Sequence, residues 1–153
     1  MNNSLIATTS TKPQFMSTKG RIGRVRLLAW SFALAVATIS GLVVLAWVAS
    51  AVSSDLVGFL VIAGLLIARI LSMLLIVQRL HDLNWSGWFC WLALMPWVGD
   101  FFVLVLVLLP GNQASNRFGP VPPLDSSVER GLACLWPVLI LGFIGIAATK
   151  GGF

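Results

Sequence analysis

Four apolar runs of about 18 to 23 residues dominate this chain, and their length constrains the fold more than any other feature. They occupy positions 27–49, 56–77, 88–109 and 132–149. As α-helices these runs would be about 27 to 35 Å long, against a bilayer hydrocarbon core of roughly 30 Å. Strands are not indicated, because the runs show no hydropathy period of two and an isolated strand cannot satisfy its backbone in lipid. The sequence therefore predicts an all-α, polytopic membrane protein with about four transmembrane helices.

The composition agrees with a chain that is embedded in lipid. Hydrophobic residues make up 58% and charged residues 10% of the 153 residues, and the mean hydropathy is +0.96. Soluble domains have roughly 25% charged residues, so we expect no soluble domain beside the apolar runs. We divide the chain into a basic cytoplasmic tail at 1–26, a membrane domain at 27–123, and a segment at 124–153 that adds a linker and the last transmembrane helix.

The net charge of +5 comes entirely from the amino-terminal tail, because acidic and basic residues balance elsewhere. Basic residues collect on the cytoplasmic side of membrane proteins, which places the tail in the cytoplasm. With four crossings, seven Lys and Arg residues lie inside, whereas two, Arg117 and Arg130, lie outside. Both termini are therefore predicted to be cytoplasmic. Nucleic acid is not an expected partner, since Phe15 is the only aromatic residue of the tail.

The third run, 88–109, contains Pro96 and Gly99 and allows two interpretations. A proline inside a helix removes one hydrogen bond and kinks or breaks the helix. Our first interpretation is a full transmembrane helix that is kinked at this point. The alternative is a broken, re-entrant hairpin, which would return residues 116–120 to the side that holds residues 79–82.

Two charged residues, Arg69 and Asp100, fall inside apolar runs. If the second and third runs form a helical hairpin, both residues lie at about the same depth, roughly 15 to 18 Å from the interface. A single charge near the bilayer centre costs about 2.5 to 3.5 kcal/mol on insertion scales. We therefore predict an intramembrane ion pair between them. The pair either fixes the register of the hairpin or forms a polar element of an ion or proton path.

Polar side chains in the middle of the chain are concentrated in one short motif, RLHDLNWSGW at 79–88. Arg79 and Asp82 are three residues apart on a helix and are well placed to pair. The neighbours His81 and Asp82 point about 100° apart, which does not favour acid–base catalysis. The motif is either a capped helical hairpin with tryptophan anchors or a binding site for a headgroup, an anion or a partner.

A second polar motif, NRFGP at 116–120, follows the third run. The sequence has no HExxH, CxxC, GxSxG or P-loop motif, and a lone histidine does not favour a zinc site. We therefore predict a protein without enzymatic activity, cofactor or metal. The two motifs build one site only if they lie on the same side of the membrane. The residues that we assign to a polar, headgroup-binding cluster are Arg21, Arg24, Arg79, His81, Asp82, Asn116 and Arg117.

Three short signatures occur in a fixed order with apolar spacers between them. They are GRIGR at 20–24, RLHD at 79–82 with SGW at 86–88, and PG at 110–111 with NRFGP at 116–120. Together they resemble the DUF805 family of small bacterial membrane proteins, over residues 20–123. The resemblance implies a multispan protein of the bacterial inner membrane, and it implies no reaction, substrate or cofactor.

The chain departs from this family at several positions. Gln78 stands where the family often has a second arginine, and Leu27 stands where tyrosine is common. Arg69 and Asp100 fall at positions that look apolar in the family, which implies that their pairing is particular to this chain and favours a register role. The last run, 132–149, lies outside the shared region and is expected to be an added anchor.

These observations predict an integral inner-membrane protein whose cytoplasmic polar cluster binds lipid headgroups or a partner. Spare arginines of the cluster are expected to face the phosphate of anionic lipids, because guanidinium geometry suits bidentate contact. A homo-oligomer or a second membrane protein is the expected protein partner. The alternative function is a small transporter or channel subunit that oligomerises around Arg69 and Asp100.

Overall fold

The computed structural model describes residues 18–49 and 53–150. Within these ranges the chain is helical, and no strand is assigned. The elements are α1 Arg24–Val48, α2 Ser54–Asp82, a 3₁₀ helix Gly87–Leu94, α3 Val98–Leu108 and α4 Ser127–Lys150. The all-α prediction is confirmed. Most of the predicted basic tail, including Lys12, lies outside the described residues.

The first two helices confirm the predicted spans at 27–49 and 56–77. With 25 and 29 residues, α1 and α2 are long and apolar enough to cross a membrane. Their outer sides carry large apolar side chains, such as Trp47, which is 83% exposed, and Phe59, which is 67% exposed. Water does not favour such surfaces, whereas lipid solvates them. The chain is a polytopic membrane protein.

α2 continues past the predicted boundary at residue 77 and ends at Asp82. Arg79 and His81 thus lie on its last turns rather than in a loop. The Asn84 N–H donates to the His81 carbonyl at 3.1 Å, and Asn84 has a left-handed backbone with φ +61. Asparagine tolerates this conformation, which commonly ends helices.

The third apolar run is broken in the middle. It forms the 3₁₀ helix Gly87–Leu94, a turn at residues 95–97, and α3, which has 11 residues. Each of the two helical arms is about 16 Å long, roughly half the thickness of the hydrocarbon core. We call this unit, residues 87–108, the re-entrant hairpin.

The carboxyl end of α3 returns to the end of α2 from which the hairpin starts. The Arg79 guanidinium donates hydrogen bonds to the carbonyls of Leu106, at 2.9 Å, and Leu109, at 2.5 Å. The Asn112 N–H donates to the Asp82 carbonyl at 3.0 Å. The predicted full, kinked transmembrane helix is therefore wrong, and the re-entrant alternative is the one that the structure adopts.

The two arms approach each other closely next to the turn. Pro96 supplies no N–H to a continuing helix, and Trp97 has a left-handed backbone with φ +66. Gly99 faces the end of the first arm, where a Cβ atom built on it would lie 2.7 Å from the Ala93 carbonyl oxygen. Glycine at this position therefore allows the arms to close.

α4 packs against α1 and runs in the same direction. Near its start Glu129 pairs with Arg26, whose Nε atom lies 2.6 Å from a carboxylate oxygen. Further along, the Trp136 indole donates to the Leu28 carbonyl at 2.9 Å and packs edge-on against Phe32. The two helices therefore start at the same face of the bundle.

This direction bears on the predicted threading. The hairpin does not reach the far end of the bundle, so α4 starts at the end where α1 starts and finishes at the opposite end. With α1, α2 and α4 as the crossing helices, the chain would cross the membrane three times, and the two termini would lie on different sides. The number of crossings and the position of both termini in the cytoplasm stay predictions.

Two apolar clusters hold the hairpin and the segment before α1 against α2. In the first, Ile76 and Leu80 of α2 contact Ala93 and Leu106, one from each arm of the hairpin. In the second, Ile22 and Leu27 pack on Leu75, with Trp30 and Val107 beside them. Both clusters lie near the end of α2 that carries the first polar motif, and so they position the polar side chains described next.

Candidate functional site

Three charged side chains meet where the segment before α1 reaches the end of α2. The Nε and Nη2 atoms of Arg21 lie 3.1 and 3.0 Å from one carboxylate oxygen of Asp82. Arg79 binds the other oxygen of the same carboxylate. All three residues are buried, with exposed fractions of 4% for Arg21, 2% for Asp82 and 0% for Arg79. We call them the arginine–aspartate cluster.

The remaining N–H groups of Arg21 bind main-chain carbonyls of the loop that follows α3. Its Nη1 atom donates to Ala114, at 2.8 Å, and to Gly119, at 3.1 Å, and its Nη2 atom also donates to Asn112. Arg79 donates its other hydrogen bonds to the carbonyls of Leu106 and Leu109 at the end of α3 and, at 3.5 Å, to the Ile22 carbonyl. A guanidinium has five N–H donors in a rigid fork, so both groups are well satisfied inside the protein. The cluster ties together three segments that are distant in sequence.

Gly111 allows the loop to approach the shared carboxylate. A Cβ atom built at Gly111 would lie 2.0 Å from a carboxylate oxygen of Asp82. Any larger residue would displace the carboxylate from both arginines. This contact explains why the PG signature at 110–111 accompanies the RLHD signature at 79–82.

Burial changes the role that the sequence predicts for these arginines. Arg21 and Arg79 belong to the cluster that we assign to headgroup binding, but their donors are used within the protein and their surfaces are covered. Removing one partner from a buried ion pair costs about 3 to 5 kcal/mol. Loss of any one of the three side chains is therefore expected to destabilise the fold. Arg24, which we also assigned to the site, lies exposed at the first residue of α1.

The second polar motif folds back on the end of α2. Asn116 Nδ2 donates to the His81 carbonyl at 2.8 Å, and Arg117 Nη2 donates to the Asn84 carbonyl at 3.2 Å. The Phe118 ring stacks on the His81 imidazole, with centroids 3.8 Å apart and planes 9° apart. Arg117 covers the outer side of this stack, with Cζ 4.6 Å from the Phe118 centroid. Both polar motifs thus form one continuous surface.

A cleft of about 700 Å³ opens beside the stack. We call it the interfacial cleft, and the side chains that define it are His81, Ser86, Trp88, Trp91, Arg117 and Phe118. Its polar groups include the Arg117 cation, the His81 imidazole and the hydroxyls of Ser86 and Thr18, and much of its wall is aromatic. Tryptophan is common at the boundary between hydrocarbon and headgroups, which is where the hairpin begins.

The sequence indicated tryptophan anchors in the first motif, but it did not predict that tryptophans form one wall of a cleft. Trp88 and Trp91 are 78% and 59% exposed and lie on the 3₁₀ arm of the hairpin. Trp85, Trp88 and Trp91 recur at a spacing of three. Trp88 and Trp91 lie within the 3₁₀ helix, which has 3.0 residues per turn, so these two side chains eclipse one another. The repeated spacing is a signal in the sequence, but its meaning depends on a helix type that hydropathy does not reveal.

Arg26, which sequence reasoning also did not assign, attaches α4 to α1. Its partner Glu129 belongs to a capping box: the Ser126 N–H donates to the Glu129 carboxylate at 2.8 Å, and the Glu129 N–H donates to the Ser126 hydroxyl at 3.2 Å. Glu129 precedes the predicted span at 132–149. Hydrogen bonds from Arg26, with smaller contributions from Ser126, lower the pKa of Glu129 from its ordinary 4.5 to about 2.

The predicted intramembrane ion pair is not formed. Arg69 donates instead to the Ala93 carbonyl at 2.6 Å, and no ion pair between described residues joins it to Asp100. The end of a helix leaves carbonyls without intrahelical partners, so the break in the third run offers Arg69 an acceptor that a continuous helix would lack. Both side chains line a second cavity, of about 660 Å³.

The accessible groups at the two polar motifs are suited to recognition. Asp82 accepts from two guanidinium groups and is buried, and one face of His81 is covered by Phe118. Across residues 18–49 and 53–150 no three His, Cys, Asp or Glu side chains gather where a metal ion could bind. What the surface presents is the Arg117 guanidinium beside exposed indole rings.

Two inner-membrane proteins of Escherichia coli (strain K12) are similar to parts of this chain. "Inner membrane protein YhaH" is 40% identical over 48 residues, which cover 31% of this chain and 40% of that protein. "Inner membrane protein YhaI" is 36% identical over 63 residues, which cover 40% of this chain and 53% of that protein. The chain thus spans about half the length, or less, of these curated relatives. No solved structure matches.

The family described as "Protein of unknown function (DUF805)" matches residues 15–120. This range contains both polar motifs, α1, α2 and the re-entrant hairpin. Because the match covers more than half of the chain and includes the segments joined by the arginine–aspartate cluster, the protein belongs to the DUF805 family.

Proposed function

We propose that this protein is a non-enzymatic component of the bacterial inner membrane that binds the phosphate of an anionic lipid headgroup in the interfacial cleft. The observation that carries the proposal is the position of Arg117, an exposed guanidinium beside the aromatic wall. Among the described residues, Arg117 donates one hydrogen bond, to Asn84. Its other donors can therefore reach a ligand, and a guanidinium fits phosphate oxygens in bidentate fashion.

The aromatic wall supports a lipid rather than a free anion. Trp88 and Trp91 expose most of their indole surface where the hairpin enters the membrane. Indole rings favour this boundary because one part is apolar and the N–H can hydrogen-bond. A lipid bound with its phosphate at Arg117 would lay its glycerol and first acyl carbons along these rings.

The proposal places the cleft on the cytoplasmic side. Removing Arg69, at mid-depth, and Lys150, at the far end of α4, from the ten Lys and Arg residues leaves eight. These eight lie at the end of the bundle that holds the cleft, or precede it in the tail. Basic residues favour the cytoplasmic side, whose anionic lipids attract each of them by about 1 kcal/mol. The imbalance of eight to one is stronger than the seven to two predicted for four crossings.

Lipid retention by Arg117 variants tests the proposal. The protein is purified in a mild detergent from membranes that contain phosphatidylglycerol and cardiolipin, and bound lipids are counted by native mass spectrometry. We expect Arg117→Ala to retain about tenfold less anionic lipid than the wild type. Arg117→Lys should be intermediate, because it keeps the charge and loses the fork.

Arg130→Ala is the matched control, since Arg130 is also exposed and lies near the start of α4 on the same side. Its lipid retention should equal that of the wild type. Equal loss in both variants, or no loss in Arg117→Ala, would contradict the proposal. A protein partner in place of lipid would appear as a cross-linked species that Arg117→Ala removes while lipid retention stays unchanged.

The geometry supports a transport function less well than it supports headgroup binding. An ion path through Arg69 and Asp100 would need polar contact with the cytoplasmic face. Leu27 and Leu75 line the cavity instead, and they pack on Ile22 to form an apolar cluster on the side of the arginine–aspartate cluster. Ion flux into liposomes that contain the purified protein is the measurement that would support transport.

A further inference from the structure

The second cavity lies inside the bundle, at the depth of the hairpin turn. Its volume of about 660 Å³ is within the range of small-molecule sites, roughly 300 to 1,000 Å³. Helices α1, α2, α3 and α4 all contribute to its wall, which is mostly aliphatic. Arg69 and Asp100 are its two charged residues, and we call it the intramembrane cavity.

The protein alone satisfies these two charges incompletely. Arg69 donates one hydrogen bond within the described residues, to Ala93, and both Arg69 and Asp100 expose much of their surface to the cavity and its surroundings. A charge at this depth is costly, and no ion pair between the two reduces that cost. A polar group held between them in the cavity would do so.

The other polar groups of the wall already have partners. The Ser31 hydroxyl donates to the Leu28 carbonyl at 3.0 Å, and the Trp136 indole donates to the same carbonyl. The Ser72 hydroxyl donates to the Arg69 carbonyl at 2.8 Å. The polar end of a ligand would therefore be recognised mainly by the side chains of Arg69 and Asp100.

We propose that the intramembrane cavity binds a neutral amphiphile, one with a single apolar chain and a hydroxyl-bearing head that hydrogen-bonds to Arg69 and Asp100. A hydroxyl accepts from a guanidinium and donates to a carboxylate. The two charges of the cavity sum to zero, so a neutral head needs no further counter-charge. A fatty acid or an alkylamine would bring a net charge into this apolar cavity that the pair of opposite charges does not balance.

The ligand would enter from the bilayer. α1 contacts α2, α3 and α4, but α3 and α4 do not pack against each other within residues 53–150. Both of these helices nevertheless line the cavity, through Val103 and Ile140 among others. The separation between α3 and α4 therefore leaves a lateral opening through which an acyl chain can reach the cavity from lipid.

A monoacylglycerol with a diazirine in its acyl chain is a direct probe of this site. The protein in lipid nanodiscs is irradiated with the probe, and labelled peptides are mapped by mass spectrometry. We expect labels on peptides of the cavity wall. Unlabelled monoacylglycerol should compete at a concentration about tenfold lower than a fatty acid or an alkylamine of equal chain length.

Charge variants give the sharpest test, because they should shift the selectivity in opposite directions. Asp100→Asn leaves the arginine as the charged group. The concentration at which the fatty acid competes should then fall about tenfold relative to that of the monoacylglycerol. Arg69→Gln leaves the carboxylate as the charged group. The concentration at which the alkylamine competes should then fall by a similar factor relative to that of the monoacylglycerol. Loss of the probe's labelling without such a shift in selectivity would contradict the inference.

A cavity-filling variant separates the cavity from the lipid-facing surface. Ala35→Trp should abolish labelling of the cavity wall, whereas Val43→Trp, at a position of α1 that is 63% exposed, should leave it unchanged. Labels spread over lipid-facing positions, or the same selectivity in both charge variants, would overturn the inference. The inference is independent of the headgroup proposal, and Arg117→Ala should leave labelling of the cavity unchanged.

Discussion

Asp82 is the residue on which the arginine–aspartate cluster depends, because its two oxygens are divided between Arg21 and Arg79. Its carboxylate is the only counter-charge that contacts either guanidinium in the described part of the chain. Loss of that carboxylate would leave two buried cations, a situation that costs about 3 to 5 kcal/mol for a single broken pair. The space for the carboxylate is in turn set by Gly111.

Gly111→Ala is expected to destabilise the protein markedly. The added Cβ would meet the Asp82 carboxylate at 2.0 Å and force it away from both arginines. Overpacking typically costs about 1 to 3 kcal/mol, and here it also disturbs the buried ion pairs. The measurement is the Tm in detergent, which should fall by several degrees. Gly58→Ala is the control, since no described atom lies within 4 Å of a Cβ added there; an equal Tm for both variants would contradict this prediction.

Residue spacing predicted one half of this cluster. Arg79 and Asp82 pair as expected for residues three apart on a helix. The contact of Arg21 with Asp82 joins residues 61 positions apart, and local spacing contains no information about it. Arg69 shows a second limit of prediction from sequence. The depth of a residue in the membrane can be estimated from its position in an apolar run. The direction in which its side chain points around the helix, and the carbonyl groups that compete for it, cannot.

At the scale of elements, the hairpin shows what hydropathy leaves undetermined. An apolar run of about 22 residues is long enough to cross a bilayer, but the same side chains are solvated equally well if the run turns back. Pro96 and Gly99 indicated the break, and the re-entrant alternative followed from them. The choice between the two depended on contacts of Arg79 with Leu106 and Leu109, which form only in the folded chain.

The attachment of α4 to α1 is expected to weaken in acid. The pKa of Glu129 is lowered to about 2 in the folded protein from an ordinary 4.5. A depressed pKa contributes stability that is fully present above the ordinary value and is lost as the pH falls toward the folded value. The difference in Tm between the wild type and Glu129→Gln should therefore be constant above pH 4.5 and shrink between pH 4.5 and about pH 2.

Asp55→Asn provides the comparison for this pH series. Asp55 is an exposed acid in the first turn of α2 and takes part in none of the ion pairs between described residues. We expect its Tm to follow that of the wild type across the series. A Tm difference between the wild type and Glu129→Gln that does not change with pH would contradict the role of the Glu129 carboxylate in attaching α4 to α1.

At the scale of the whole molecule, the fold is strongly asymmetric across the membrane. One end gathers the arginine–aspartate cluster, the interfacial cleft and the loop between α3 and α4. The other end has the short connection from α1 to α2 and the end of α4. Composition and span length predicted a polytopic helical protein, but the end of the bundle at which α4 begins depends on the hairpin, which the sequence left open.

Single-cysteine accessibility should reveal three crossings. In a background with Cys90→Ser and Cys134→Ser, cysteines are placed at Ser115, Ser54 and Thr149 and treated with a membrane-impermeant maleimide. We expect Ser115→Cys to react only from the cytoplasmic side, and Ser54→Cys and Thr149→Cys to react only from the other side. Reaction of Ser115→Cys and Ser54→Cys from the same side would restore the four-crossing threading and remove the basis for a joint polar site.

The contact between Arg21 and Gly119 has a consequence for biosynthesis, because these residues are 98 positions apart. Ribosomes add about 5 to 20 residues per second, so the arginine waits roughly 5 to 20 s for its last acceptor to be made. Within that interval α1 and α2 are synthesised while the cluster lacks its last acceptor. The nascent protein can therefore complete the cluster only after the loop beyond α3 has been made.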